Sequence, residues 1–288
     1  RKYLFKHCVL THIHLFVSRD KVFDKENVLQ ETMIVRLQKT SSAPADIVVT
    51  TTQSNHDFSD ITSISVPYNI VVSGKNQYVH LITSEEEKQA IEALNHFGYT
   101  LPELGLKMKT GLVVDFRAAD LLRDRQEADT IPLIYSRHIK DGRVRFPQGE
   151  DSEYILKDRD GLRQTNKNYL FVKRFTAKEE SRRLQCGIYL KRYLPDYPYI
   201  SSQNKVNFID GMQEMSECIV YGLYVIFNST LYDTYYRILN GSTQVNSTEV
   251  NNMPMPSIDI IESMGKQLIA KRQLTVSGCN EILNSYLS

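Results

Sequence analysis

The sequence has no tryptophan, and its four cysteines, Cys8, Cys186, Cys218 and Cys279, stand far apart. None makes a CxxC pair, and no histidine lies at metal-ligand spacing from any of them. No zinc or other metal site is expected; buried, reduced thiols in a cytoplasmic protein are. No run approaches the roughly 20 consecutive apolar residues of a membrane-spanning helix. A charged-then-apolar leader with a cleavage site is also missing, so neither membrane nor secretion is indicated. Nor is there an excess of one charge: 35 Lys+Arg face 34 Asp+Glu, a net charge of +1. That balance alone argues neither for nor against a polyanionic partner. What remains is ordinary globular material, 288 residues with 41% hydrophobic and 24% charged, enough for two domains with real cores.

The first third alternates like an α/β domain. The chain opens on Arg1 directly into a helix-like segment, RKYLFKHC, which points to a beginning that lies elsewhere. Val9 to Val17 has strand composition, with Ile13, Leu15 and Val17 on one face. The polar stretch SRDKVFDKEN reads as a loop, Glu31 to Gln38 as a buried strand, and Ala45 to Thr51 as another. Hairpin-like adjacency of two strands at the sheet's end, antiparallel at the edge, is the expectation. A helix then starts at an N-cap on Thr83 or Ser84, with three glutamates in its first turn. It turns Ile91, Leu94 and Phe97 to one side and stops at Gly98.

From Lys107 the texture becomes irregular and rich in turns. Gly111 to Phe116, Ile131 to Tyr135 and Tyr169 to Phe175 are predicted strands, and Cys218 to Asn228 reads as a strand by composition. Helices are predicted over Ser229 to Leu239, Asp259 to Lys271 and Val276 to Tyr286. Between Arg137 and Arg192, fifteen basic residues face eight acidic ones, a local excess larger than the charge of the whole chain. That fits either a polyanion-facing surface or a solvated surface of mixed sign.

Four collinear segments carry a resemblance: HLFVSRDKVFDKENVLQETMIVRL, TSEEEKQAIEALNHFGYTLPELGLKMKTGLVVDFR, IPLIYSRHIKDGRVRFP, and FNSTLYDTYYRILNGSTQVNSTEVNNMPMP. In this order they resemble the gamma-type adenine-N6 DNA methyltransferases of restriction-modification systems, the TaqI, PstI and BsuBI kind. The resemblance implies an α/β remnant of a methyltransferase domain followed by an α+β target recognition domain with short strands and C-terminal helices. Its divisions are 1–82 for the catalytic tail, 83–110 for a bridge and 111–288 for target recognition. The family's glycine-containing S-adenosylmethionine loop and its Pro-Pro-Tyr motif are not found here; the chain has no PP dipeptide. S-adenosylmethionine is therefore implied for the full-length enzyme and no cofactor for this chain alone. Catalytic residues are implied in a missing N-terminal half, and this chain is not expected to methylate DNA unaided.

The expected share of this chain is sequence-specific DNA recognition and clamping, with the target adenine presented for methyl transfer. Such enzymes must take the base out of the duplex, and Phe23 matches the family phenylalanine that stacks on it; Asn27, Gln30 and Glu31 stand beside it. Arg137, His138, Lys140, Arg143 and Arg145 surround an Asp-Gly pair that suggests a tight turn, and such a turn presents them to double-stranded DNA. Gly241, Ser242, Thr243, Gln244 and Asn246 of GSTQVN form a second candidate DNA contact, with Gln244 suited to an adenine edge. Lys173, Arg174, Arg182 and Arg183 are candidate phosphate contacts. Packing or solvated polarity is the alternative for each. Asp115 is read as fixing the bridge, and no Ser-His-Asp or Cys-His pairing emerges. Two other readings stay open: a free-standing DNA specificity subunit, against which the first 80 residues argue, and a non-catalytic interaction protein derived from the family.

Overall fold

β-branched runs in the first third assemble into a four-stranded sheet. The computed structural model describes residues 1–18, 21–23, 25, 30–40, 42–74, 77–177, 179–239 and 243–287, and the chain divides into two compact units, 1–93 and 94–288. In the first unit, helix α1 (Lys2–His7) precedes strands β1 (Val9–Phe16), β2 (Thr32–Gln38), β3 (Asp46–Thr52) and β4 (Thr62–Pro67), in the order β2-β1-β3-β4. β1 runs antiparallel to β2 and parallel to β3, so the two strands predicted to be neighbours lie on opposite sides of β1. β4 pairs antiparallel with β3. β1 is covered on both faces, by Ile13 on one and by His14 and Phe16 on the other, while Val17 lies beyond its end and is half exposed.

β2 departs from expectation. It is the edge strand, and Met33, Ile34 and Val35 are 51%, 58% and 45% exposed. A helical turn, α2 (Tyr68–Val71), and a hairpin of β5 (Val72–Ser73) with β6 (Tyr78–Val79) follow. Helix α3 (Glu85–Leu94) starts as predicted: the Glu87 N–H donates to Ser84 Oγ at 3.2 Å, and Thr83 donates from N–H and hydroxyl to the Glu87 carboxylate. This reciprocal cap satisfies amides that the first helical turn leaves open. The helix ends at Leu94, short of the predicted stop at Gly98.

Among the described residues, the second unit has two sheets. The larger takes the order β10 (Ile139–Lys140), β11 (Arg143–Val144), β15 (Cys186–Tyr189), β14 (Tyr169–Lys173), β17 (Val206–Gly211), β7 (Leu106–Thr110). The smaller runs β13 (Gln164–Thr165), β16 (Tyr199–Ser202), β9 (Thr130–Ile134), β12 (Tyr154–Leu156), β8 (Leu122–Arg123). Tyr169, Phe171, Tyr189 and Phe208 fill one core, and Val113, Leu133 and Ile155 lie in another. Gly111 to Phe116 is not a strand: Val113 makes one isolated bridge to Gln203, and Asp115–Arg117 form a 3-10 turn. Asn251 closes the outer edge of β7, accepting the Met108 N–H at 2.8 Å and donating to its carbonyl at 3.0 Å.

Cys218 to Asn228 is helix, not strand. α4 (Glu217–Asn228) is capped by Ser216, whose side chain accepts the Ile219 N–H, and every residue from Val220 to Asn228 is buried. α5 (Thr230–Leu239), α6 (Ser247–Val250), α7 (Ile258–Lys271) and α8 (Val276–Asn284) complete the unit. α4 and α7 cross so closely that a Cβ on Gly222 would collide with the Ile261 carbonyl, and one on Gly265 with the Cys218 carbonyl. The cysteines are free, with Cys186 and Cys279 buried. No helix among the described residues is long and apolar enough to cross a membrane.

Candidate nucleic-acid interface

The Asp-Gly pair forms the tight turn between β10 and β11: Asp141 and Gly142 both take positive φ, 50° and 73°. That is the backbone of a two-residue hairpin whose twist matches its strands. Lys140 and Arg145 are exposed beside it, Lys140 donating to the Gln148 side chain and Arg145 paired with Asp141 at 2.9 Å. Arg137 lies 3.9 Å from the centre of the Tyr135 ring and donates to the Asp151 carbonyl. Arg143 is half buried and donates to the hydroxyls of Tyr193 and Tyr221 at 2.9 and 3.1 Å.

His138 does not reach the surface, which corrects its place among the DNA-facing residues. Its Nε2 donates to Glu153 at 2.8 Å and its Nδ1 accepts the Tyr135 N–H at 3.0 Å. A ring nitrogen that accepts an amide proton carries none, so the imidazole is neutral. Burial lowers its pKa in the same direction and outweighs the pull of Glu153. Burial pushes the Glu153 carboxyl up, but hydrogen bonds from the Gln148 N–H, His138 and the Gly149 N–H together hold it below its ordinary value. This buried pair ties both arms of the 135–153 segment together.

The second cluster joins residues that the sequence separates by 70 positions. Arg174 donates from Nη2 to Gln244 Oε1 at 3.1 Å, from Nη1 to the Asn204 carbonyl at 2.9 Å, and from its N–H to the Lys205 carbonyl at 3.0 Å. Phe175 and Gln244 form an antiparallel bridge, and the Thr176 N–H donates to the Thr243 carbonyl. Asn246 caps α6, accepting the Thr248 N–H at 2.9 Å. Lys173, Arg174, Thr243, Gln244 and Asn246 are thus neighbours, which no local pattern announces. Gly241, Ser242 and Asn27 lie outside the described residues. Phe23 is 37% exposed, Gln30 is exposed and Glu31 half buried.

Both clusters face the same end of the large sheet. Antiparallel β14 ends at Lys173 opposite the start of β15, and β11 begins after the 141–142 turn in parallel with β15. The turn and the Arg174 loop are therefore two strand spacings apart, about 10 Å.

Much of the basic excess between Arg137 and Arg192 is matched by acids outside it. Asp129 pairs with Lys157, Asp210 with Lys167, Glu214 with Lys191, and Glu217 with Arg192. Arg182 donates to the Phe227 and Ser229 carbonyls at the end of α4, and Arg183 is wholly buried, so neither presents a phosphate contact. Among the described residues Lys140, Lys173 and Arg174 have no ion pair, and no group of His, Cys, Asp and Glu could hold a metal.

The chain is 35% identical over 276 residues to the type II methyltransferase M.BsuBI of Bacillus subtilis, covering 93% of this chain and 54% of that protein. It is 30% identical over 278 residues to the type II methyltransferase M.PstI of Providencia stuartii, again over 93% and 54%. The chain spans about half the length of these relatives. Among solved structures, the type IIG restriction endonuclease BpuSI aligns at a TM-score of 0.47 and 12% identity, covering 94% of this chain and 39% of that one. No family model matches.

Proposed function

We propose, from the premise that the chain is a relative of the type II methyltransferases over nearly its whole length, that it is the DNA-recognising and DNA-clamping part of a site-specific adenine-N6 methyltransferase of a restriction-modification system. The observation that carries this reading is the juxtaposition of Arg174 with Gln244 on an exposed loop beside the Asp141–Gly142 turn. Arginine suits guanine or phosphate, and glutamine presents the paired donor and acceptor that adenine offers in the major groove.

Phe23 is proposed as one wall for the extruded base; stacking on an aromatic ring contributes about 1–3 kcal/mol, offsetting part of the unstacking cost. S-adenosylmethionine supplies the methyl group to the whole enzyme on this reading. The residues that the family uses to hold it are not in this sequence, so no step of the transfer is assigned here. The proposed partners are double-stranded DNA and the catalytic half that this chain lacks, in the cytoplasm. The bare Met33, Ile34 and Val35 at the β2 edge support the second partner, since adjacent apolar residues on a strand suit a sheet interior.

Binding of the chain to a duplex at low and moderate salt tests the reading, comparing wild type with Lys140→Ala/Lys173→Ala. Neither lysine has an ion pair among the described residues, whereas Arg143 holds two tyrosines and is left in place. Affinity should fall steeply with salt, and the double substitution should lower the log–log slope by up to about 1.8, roughly 0.9 for each phosphate no longer neutralised. Absence of binding at low salt, or an unchanged slope, would sink the recognition reading for this surface.

A further inference from the structure

Three connections leave the large sheet at one end. β7 finishes at Thr110 opposite Asn207, β14 finishes at Lys173 opposite Val206, and β17 begins between them. Residues 111–117, 203–205 and 174–176 therefore emerge side by side, the outer two about 10 Å apart at their roots. Hydrogen bonds lock them together. The Gly111 N–H donates to the Val206 carbonyl at 2.8 Å, Asn204 to Val113 at 2.7 Å, and the Gln203 amide to Asp115 at 3.1 Å. Arg174 bonds the Asn204 and Lys205 carbonyls from the other side. Gly111 leaves no room for slack: a Cβ there would run into the Gln203 carbonyl.

On this rigid frame two phenylalanines face solvent, Phe116 at 79% and Phe175 at 46% exposure. Each has an arginine beside its ring, Arg117 at 5.4 Å and Arg174 at 5.5 Å from the centroid. Arg117, Lys173, Arg174 and Lys205 carry no ion pair among the described residues, unlike the bases matched by acids elsewhere in the unit. One exposed ring is ordinary on a protein surface. Two on adjoining locked loops, among cations that hold no ion pair among the described residues, have a chemistry in common: cations follow phosphates, and flat apolar rings suit base faces that are no longer stacked.

We infer that Phe116 and Phe175 are paired aromatic contacts to DNA that seat on unstacked bases, beside the Arg174–Gln244 loop. The inference rests on the recognition reading and adds two residues and a preference to it. In an intact duplex the base faces are occupied by their neighbours, so these rings gain little there. They gain where a step is opened, and a protein that extracts a base opens one.

Fluorescence anisotropy of the chain with an intact duplex and with a duplex carrying adjacent mismatches reads this directly. Wild type should bind the mismatched duplex more tightly. Phe116→Ala and Phe175→Ala should each weaken that complex about fivefold or more, from the size of base–aromatic stacking. Their salt slopes should match wild type, because a ring releases no counterions, whereas Lys205→Ala should lower the slope on both duplexes alike. Phe116 is largely exposed, so alanine there removes little packing, and Phe175 is about half exposed; circular dichroism melts equal to wild type check the fold of both. If both Phe variants keep wild-type affinity and preference while Lys205→Ala weakens binding, the aromatic contact is wrong and the recognition reading survives. If wild type binds neither duplex at low salt, both fall together.

Discussion

His138 illustrates how little of a single residue's role is visible in its neighbours. It stands among basic residues next to an Asp-Gly turn, and the sequence groups it with them. In the fold both its ring nitrogens are engaged within the 135–153 segment, one donating to Glu153 and one accepting from Tyr135. That arrangement has a pH dependence. Its folded pKa lies below 6.5, so the stability it contributes is complete above 6.5 and is lost as pH falls through the lowered value. Glu153, held below 4.5, follows in more acid solution with the same sign. Thermal unfolding of wild type should therefore lose ground between pH 7 and pH 5. His138→Gln offers a donor and an acceptor but does not titrate. It should cost about 1–3 kcal/mol at pH 7 if the geometry is imperfect and show a smaller drop on acidification. An equal drop in both proteins would mean that His138 is not a source of the acid sensitivity. The same residue scale explains Arg174 and Gln244: each is an ordinary polar residue in the sequence, and only strand pairing over 70 positions makes them a pair.

Among elements, those with punctuation were legible. Ser84 and Glu87 announce α3, and the Tyr169 and Ile131 runs become β14 and β9 as composition suggests. The 218–228 run failed because a segment buried on all sides has no apolar face to reveal its period. Ser216 three residues before Ile219 was the available helix signal. β7 is not among the predicted strands although Leu106 and Met108 alternate with Lys107 and Lys109, a short period-two pattern at the point where the texture of the sequence changes. The α4–α7 crossing also dictates glycine where composition alone is silent. Gly222→Ala and Gly265→Ala force a methyl group into a carbonyl of the facing helix. Each should destabilise the chain by about 1–3 kcal/mol or more, the range of overpacked cores. Gly161→Ala, with open space around it and no positive φ, should stay within about 0.5 kcal/mol. Chemical denaturation of the three variants decides it. Equal midpoints would mean that the helices move apart without penalty.

At the scale of the molecule, the four-stranded sheet and the larger sheet of the second unit treat their β2 and β7 edges in opposite ways. β7 is closed by Asn251, which occupies both the amide and the carbonyl of Met108. β2 has no partner on its outer side among the described residues and shows Met33, Ile34 and Val35 to solvent. An open, apolar edge invites pairing with another chain. The expectation that β2 is buried does not hold: its composition suits a sheet interior, but the strand lies at the edge with Met33, Ile34 and Val35 exposed. On the proposed reading the rest of the enzyme covers this strand. The chain alone should then self-associate as its concentration rises, and Ile34→Lys should suppress that. Because Ile34 is exposed, the substitution should change unfolding free energy by no more than about 0.5 kcal/mol. Sedimentation of both proteins, with and without the part of M.BsuBI that lies outside the similarity, separates the causes. That fragment should bind wild type, dissolve its self-association and fail to bind Ile34→Lys. If Ile34→Lys binds the fragment as wild type does, β2 is not the joint, and its apolar residues need another explanation.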